Sequence, residues 1–181
     1  RTGPRIGSVE GDVQQKETKA MTGAGCQLHV VLVEPEIPPN TGNVARLCAA
    51  TRTHLHLVEP LGFELSDKQL KRAGMDYWQH VEWSRWPSWS VFAESVPKTS
   101  RLWLVESDGP IRYSDAEFAK GDYLVFGRET LGLPEKFCRE AGDRWLHIPM
   151  FNEGARSLNL SNCVSLVLYE ALRQLKFEGE L

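Results

Sequence analysis

Tyr123-Leu124-Val125-Phe126-Gly127-Arg128-Glu129-Thr130-Leu131-Gly132-Leu133-Pro134 is the stretch on which the fold turns. Its first four residues form an apolar run of the kind that makes a buried strand. Two glycines, a carboxylate and a proline follow at once. Pro134 suits the first position of a helix, because its missing N–H would have no partner there. A strand, a glycine-bearing turn and a helix start together form the usual mouth of a ligand site in an α/β protein.

The same arrangement occurs twice more. The apolar run Leu28–Val33 leads into Pro38-Pro39-Asn40-Thr41-Gly42-Asn43, which reads as a turn cluster. Val44, Leu47, Cys48 and Thr51 then recur at the spacing of one helix face. The run 145–148 leads into Asn152-Glu153-Gly154-Ala155-Arg156-Ser157-Leu158-Asn159-Leu160-Ser161-Asn162, and a helix follows with Leu160, Val164, Val167, Leu168, Ala171, Leu172 and Leu175 on a broad apolar stripe. Residues 55–58 and 101–105 are further strands. Ser66 with Gln69 forms a capping box, and Leu65 with Leu70 a hydrophobic staple; Ser114 with Glu117, and Tyr113 with Phe118, repeat both devices and predict another helix. Alternating strands and helices imply an α/β fold, a mostly parallel sheet with helices on both faces.

The chain has 181 residues, 41% of them hydrophobic and 25% charged, with a formal net charge of −3. That length suits one domain, here residues 26–181, preceded by residues 1–25, which lack apolar periodicity and read as a flexible tail. The near-neutral charge gives no global field toward nucleic acid, so a polyanion has to be held by a local patch. Cys26, Cys48, Cys138 and Cys163 show no metal-ligand spacing and read as reduced thiols of an intracellular, cytoplasmic protein. His54 and His56 share one strand face without a supporting ligand cluster and read as structural, so no metal is expected. No apolar run approaches the roughly 18 residues of a membrane span.

Each of the three loops carries chemistry. Arg46 lies off the apolar stripe of its helix, where it can grip a phosphate bidentately or make a surface ion pair. Glu129 lies near the helix start at Pro134, where the helix dipole favours a carboxylate; alternatively it orients an arginine or a ligand hydroxyl. The third loop holds more Ser, Asn, Gly and Arg than capping requires, which suggests a polar wall for a ligand. The chain has no G-x-G-x-x-G after a strand, no P-loop and no nucleophile elbow. Its chemistry therefore calls for a cofactor held in a site of another shape.

In this order and spacing, Glu34-Pro35-Glu36-Ile37-Pro38-Pro39-Asn40-Thr41-Gly42-Asn43, the stretch 126–134, and Ile148-Pro149-Met150 with 156–162 resemble the three signature motifs of the SPOUT class of RNA methyltransferases. The similarity is strongest to the branch that methylates the 2′-hydroxyl of the tRNA wobble nucleotide. Leu70-Lys71-Arg72-Ala73-Gly74-Met75-Asp76-Tyr77 is similar as well, and the resemblance spans about residues 28–176. It implies a carboxyl-terminal trefoil knot, a rarity among folds, and a homodimer with active sites near the subunit interface. It also implies S-adenosylmethionine as methyl donor, S-adenosylhomocysteine as product, and the tRNA anticodon stem-loop as partner.

Carried over by position, the cofactor pocket involves Val105, Gly127, Ile148 and Ser157, with Gly127 allowing close backbone approach. The catalytic set is Arg46, Asn40, Glu129, Ser157 and Asn159. A guanidinium stays protonated, so Arg46 is expected to clamp the substrate phosphate and ribose while the phosphate or a water takes the proton; the other four orient the reactants. Lys68, Lys71 and Arg72 share one helix face, and with Arg156 they are the expected RNA contacts. The resemblance leaves two alternatives: ribosomal RNA or another tRNA position as target, and a non-catalytic RNA-binding protein of the same fold. The presence of the whole catalytic set favours an enzyme.

Overall fold

The computed structural model describes residues 27–64, 80–152, 154–155 and 157–181. The tail, the Ser66 capping box, Lys68, Lys71, Arg72, Trp78 and Arg156 lie outside the described residues.

The described strands are β1 (Leu28–Val33), β2 (His54–Val58), β3 (Trp83–Trp86), β4 (Leu102–Val105), β5 (Ile111–Arg112), β6 (Asp122–Phe126) and β7 (Trp145–His147). The described helices are α1 (Pro38–Thr51), α2 (Trp89–Ser95), α3 (Glu135–Ala141) and α4 (Leu160–Gln174), with a short 3₁₀ turn at Tyr113–Asp115. The strands form one seven-stranded sheet in the order β3-β2-β1-β6-β4-β7-β5. Every pairing is parallel, as in Leu32 beside Phe126 and Val105 beside Leu146.

The apolar runs dictate this arrangement. Side chains of a strand alternate between faces, so a strand buried on both needs hydrophobic residues at every position. In β1, Leu28, Val30 and Leu32 point into one core layer, and Val31 and Val33 into the other. Val44 and Cys48 of α1 and Val164, Val167, Leu168 and Ala171 of α4 cover the first layer. Phe92 of α2 and Cys138 of α3 cover the second. Each large aliphatic side chain so buried stabilises the fold by roughly 1.5–3 kcal/mol.

Local expectations fail in three places. The 38–43 stretch is no turn: Pro38 begins α1, and Asn40, Thr41 and Gly42 are buried within it. Prolines are tolerated there because the first turn of a helix has unpaired N–H groups anyway. Nor does an Asn or Thr cap this helix; Ile37 stands at the cap position and offers no side-chain bond.

The helix expected after Ser114 shrinks to the single turn Tyr113–Asp115. Tertiary partners take the donors a helix would use: Phe118 N–H donates to Gln174 Oε1 of α4 (2.9 Å), and Ala119 N–H donates to Asp122 Oδ2 (2.8 Å). Gly121, at φ +82°, then turns the chain into β6. The edge strands β3 and β5 carry no continuous apolar run and were not foreseen. Trp83 and Trp86 sit on β3. Trp86 and Trp89 pack against Phe92, and Trp89 also stacks on Phe137 with ring centroids 4.6 Å apart.

Candidate active site

The loops after β1, β4, β6 and β7 meet beyond the carboxyl ends of these strands. They enclose a cavity of about 1020 Å³. In parallel sheets ligands bind at this edge, because the loops diverge there and leave a crevice.

The loop after β6 folds back on itself. Arg128 and Gly132 exchange backbone hydrogen bonds of 3.3 and 2.9 Å. This closure explains both glycines. A Cβ on Gly127 would lie 2.2 Å from the carbonyl carbon of Gly132, and Gly132 itself adopts φ +64°. The clearance at Gly127, read from sequence as room for a ligand, is already required by its own loop. The residues before α3 do more than launch that helix, since Leu133 N–H donates to the carboxylate of Glu106 at the end of β4.

Closure carries Glu129 away from α3 and onto the N-terminus of α1. Its Oε2 accepts Glu36 N–H (2.8 Å), and its Oε1 accepts Ile37 N–H (3.2 Å) and the Asn40 side-chain amide (3.0 Å). Glu129 is thus the cap that α1 lacks in its own sequence. A carboxylate at a helix N-terminus satisfies orphan N–H groups and meets the positive end of the dipole. Of the two sequence readings of Glu129, the one that ties it to the helix at Pro134 is corrected accordingly. β1 and β6 are adjacent strands, so the loops that follow them are neighbours.

The contact is reciprocal. Glu36 accepts from Thr130 N–H (3.1 Å) and from the Thr130 hydroxyl (2.8–2.9 Å). Arg128 Nη1 pairs with Glu34 Oε2 at 3.3 Å. None of Glu34, Glu36, Arg128, Thr130 and Glu106 was among the expected site residues. Their complementarity becomes readable only once β1 and β6 are known to lie side by side.

The third loop joins through Asn159. Its Oδ1 caps α4 by accepting Ser161 N–H (2.9 Å) and the Ser161 hydroxyl (2.7 Å). Its amide nitrogen donates to Asn40 Oδ1 (2.9 Å). A single hydrogen-bonded chain therefore runs Glu129–Asn40–Asn159 through all three loops. The acceptor-only carboxylate fixes its direction, because each amide must turn its NH₂ toward the preceding member. Asn40 is buried, so its own amide depends on both neighbours for its hydrogen bonds.

The structure thus places Val105, Gly127, Ile148 and Ser157 in the cavity wall together with Asn40, Glu129 and Asn159. Arg46 stands elsewhere. It is exposed, on the outward stripe Pro39–Asn43–Arg46–Ala50 of α1, and does not line the cavity. Arg156 lies outside the described residues.

The wall combines aliphatic side chains (Val105, Ile148, Leu160) with the carboxylates Glu106 and Glu129, His147, and Arg128, whose charge is met by Glu34. Burial raises the pKa of Glu106, and the Leu133 N–H bond works against that rise. Among the described residues no group of His, Cys, Asp and Glu could hold a metal ion, and no helix is long and apolar enough to cross a membrane.

Fold and site together define an α/β protein of the parallel-sheet class, with a cavity built from the loops at the carboxyl edge of the sheet. Residues 27–169 match the SpoU rRNA Methylase family, and the chain belongs to it. The tRNA (cytidine(34)-2'-O)-methyltransferase of Aeromonas hydrophila is 47% identical over 155 residues, covering 85% of this chain and 98% of that protein. A solved structure described as giving structural insights into the 2-OH methylation of C/U34 on tRNA superposes with a TM-score of 0.78 at 47% identity, covering 83% of this chain and 97% of the other. An AdoMet-bound rRNA methyltransferase from Sinorhizobium meliloti superposes with a TM-score of 0.70 at 26% identity, covering 82% of this chain and 57% of the other.

Proposed function

We propose that this chain transfers the methyl group of S-adenosylmethionine to the ribose 2′-hydroxyl of the tRNA wobble nucleotide and releases S-adenosylhomocysteine. The observation that carries the reading is the Glu129–Asn40–Asn159 chain, which locks three separate loops around one cavity. The named relatives support the target, and the volume and mixed apolar and anionic wall of the cavity suit a nucleoside bearing a positive charge.

Val105, Gly127, Ile148 and Ser157 would hold the cofactor. Backbone groups at the ends of β4 and β7 would meet its base edge, with the Val105 and Ile148 side chains flanking the ring. The bound cofactor supplies an already electrophilic methyl group, so the protein's work is alignment. The hydroxyl attacks only as its proton leaves. Arg46, fixed in charge, clamps the substrate phosphate and ribose, and the phosphate or a water accepts the proton. Asn40, Glu129, Ser157 and Asn159 keep the loops in register during this encounter.

We read the exposed stripe of α1, together with Leu166 and Tyr169 standing outward on α4, as the homodimer face. Arg46 lies on that stripe, so the clamp works close to the subunit boundary. The expected RNA contacts Lys68, Lys71, Arg72 and Arg156 and the trefoil knot belong to this reading, as does residence in the cytoplasm with the tRNA anticodon stem-loop as partner.

Nucleoside mass spectrometry of tRNA from a deletion strain tests the proposal. Loss of wobble ribose methylation supports it. Unchanged tRNA with a lost methyl group in ribosomal RNA would move the activity to that substrate.

A further inference from the structure

The proposed mechanism leaves Glu106, an ionisable group of the cavity wall, without a task. Glu106 follows Val105 at the end of β4, is half-buried, and lines the cavity. Its carboxylate accepts the N–H groups of Leu133 and Ser107. It also fills the space above Gly132, where a Cβ would come within 2.5 and 2.6 Å of its two oxygens. Among the described residues no Lys or Arg pairs with it, and the charge that acts on it is that of another carboxylate, Asp108.

A loop staple needs one acceptor, and a neutral amide would supply it. A carboxylate offers about four lone-pair sites, so two N–H bonds leave it unsaturated. Keeping an unpaired anion half-buried is unfavourable unless a cation arrives to meet it. The two forms of the proposed cofactor differ in this respect: the donor is a sulfonium with a fixed positive charge, and the product is a neutral thioether.

We propose that Glu106 is the anionic wall of the pocket and sets its preference for the cationic donor over the neutral product. The inference rests on the reading of the cavity as a site for S-adenosylmethionine. Because Glu106 attracts the sulfonium and does nothing comparable for the thioether, it favours loading before transfer and release after it. Glu106 is a binding residue here and takes no part in moving the proton.

Titration calorimetry of the full chain with S-adenosylmethionine and with S-adenosylhomocysteine tests this directly. The variants are Glu106→Gln, whose amide oxygen still accepts the Leu133 N–H, and Glu106→Asp, which keeps the charge. In Glu106→Gln the donor affinity is expected to fall by about tenfold, the response to about 1.4 kcal/mol of lost attraction, while product affinity changes by less than about threefold. Glu106→Asp is expected to restore most of the donor-over-product ratio. An unchanged ratio in Glu106→Gln, or equal losses for both ligands, would overturn the proposal and leave Glu106 as a loop staple. Failure of the unsubstituted chain to bind either ligand would instead remove the methyl-donor reading, and this inference with it.

Discussion

The two ends of β1 carry polar clusters of opposite character. At the carboxyl end, Glu34 and Glu36 interlock with Arg128, Glu129 and Thr130, and the cluster opens onto a cavity. At the amino end, His29 joins His54 and His56 of β2 in a closed aromatic stack. The His54 and His56 ring centroids are 4.4 Å apart, and His29 lies flat on Tyr123 at 4.1 Å.

The closed cluster satisfies itself. Trp86 Nε1–H donates to His56 Nδ1 at 3.1 Å, which leaves the His56 proton on Nε2, facing His29 Nδ1 at 3.1 Å. Burial holds these rings uncharged: it pushes the pKa of His29 down to about 4 and that of His56 well below its ordinary value. The open cluster, by contrast, keeps its carboxylates with hydrogen-bonding capacity to spare. One strand therefore begins from a closed group of contacts that serves stability and ends in an open group that serves the site. Substitutions at the two ends should separate into kinetic and thermodynamic effects.

The largest effect is expected just beyond the open end. Arg46→Ala should lower the methylation rate about hundredfold, the scale of a lost positioning contact, with cofactor affinity unchanged. Single-turnover assays on anticodon stem-loop RNA measure the first and calorimetry the second. A full methylation rate in this variant would sink the clamp.

Asn40→Ala comes next and crosses the divide, since Asn40 is both buried and part of the site. It removes the acceptor of the Asn159 amide and one of the two donors to Glu129 Oε1, at a cost of about 1–2 kcal/mol of stability. Urea titration should show the loss, accompanied by weaker cofactor binding because the three loops are no longer tied. Normal cofactor affinity in this variant would mean that the loops are held by something other than the chain.

How much of this was legible in the sequence follows the range of the forces involved. β1 and β6 declare themselves, because strands buried on both faces need unbroken apolar runs. The apolar stripe of α4 likewise fixes that helix and the face it buries. β3 reads Trp-Ser-Arg-Trp at a sheet edge and β5 is only two residues long, so neither carries such a run. The capping box at Ser114 was a sound local signal overridden by a distant partner on α4 and by Asp122 at the start of β6. At the site, Asn40, Glu129, Ser157 and Asn159, carried over from the resemblance, all line the cavity. The role of Glu129 was not legible, because α1 takes its cap from a residue 93 positions away from Glu36, across an adjacency that only the sheet order reveals.

The closed cluster yields a pH-dependent prediction. A histidine whose folded pKa lies below 6.5 takes up its proton more readily in the unfolded chain. Its neutral form is fully compatible with folding above pH 6.5, and stability is lost as the pH falls from there toward about 4. Protonation of His56 would also set an N–H against that of Trp86. The groups facing the cluster are Tyr123, Trp86, Phe92, Ser84 and, beside His54, Glu82, whose charge partly offsets the burial of His54. Urea midpoints measured from about pH 7 to about pH 4.5 should fall more steeply for the natural chain than for His29→Phe, which keeps the stack on Tyr123 but cannot titrate. Parallel slopes would show that the histidines do not set the acid limit.

The smallest effect is expected at the exposed edge of the open cluster. Thr130→Val removes a hydroxyl that donates to Glu36, yet the backbone N–H of Thr130 still reaches the same carboxylate. Water can reach Glu36 and replace the lost bond, so the cost should stay near 0.5–1 kcal/mol, about the net worth of one hydrogen bond. Glu36→Gln removes the charge but keeps an acceptor, and should cost a similar amount. The double variant removes the hydroxyl and the charge of one and the same contact, while the bond from Glu36 N–H to Glu129 stays in place. A double variant less damaged than the sum of the two single losses is therefore expected, because each substitution already weakens what the other removes. Losses that simply add would mean that the Thr130 hydroxyl and the Glu36 charge act on stability through different partners.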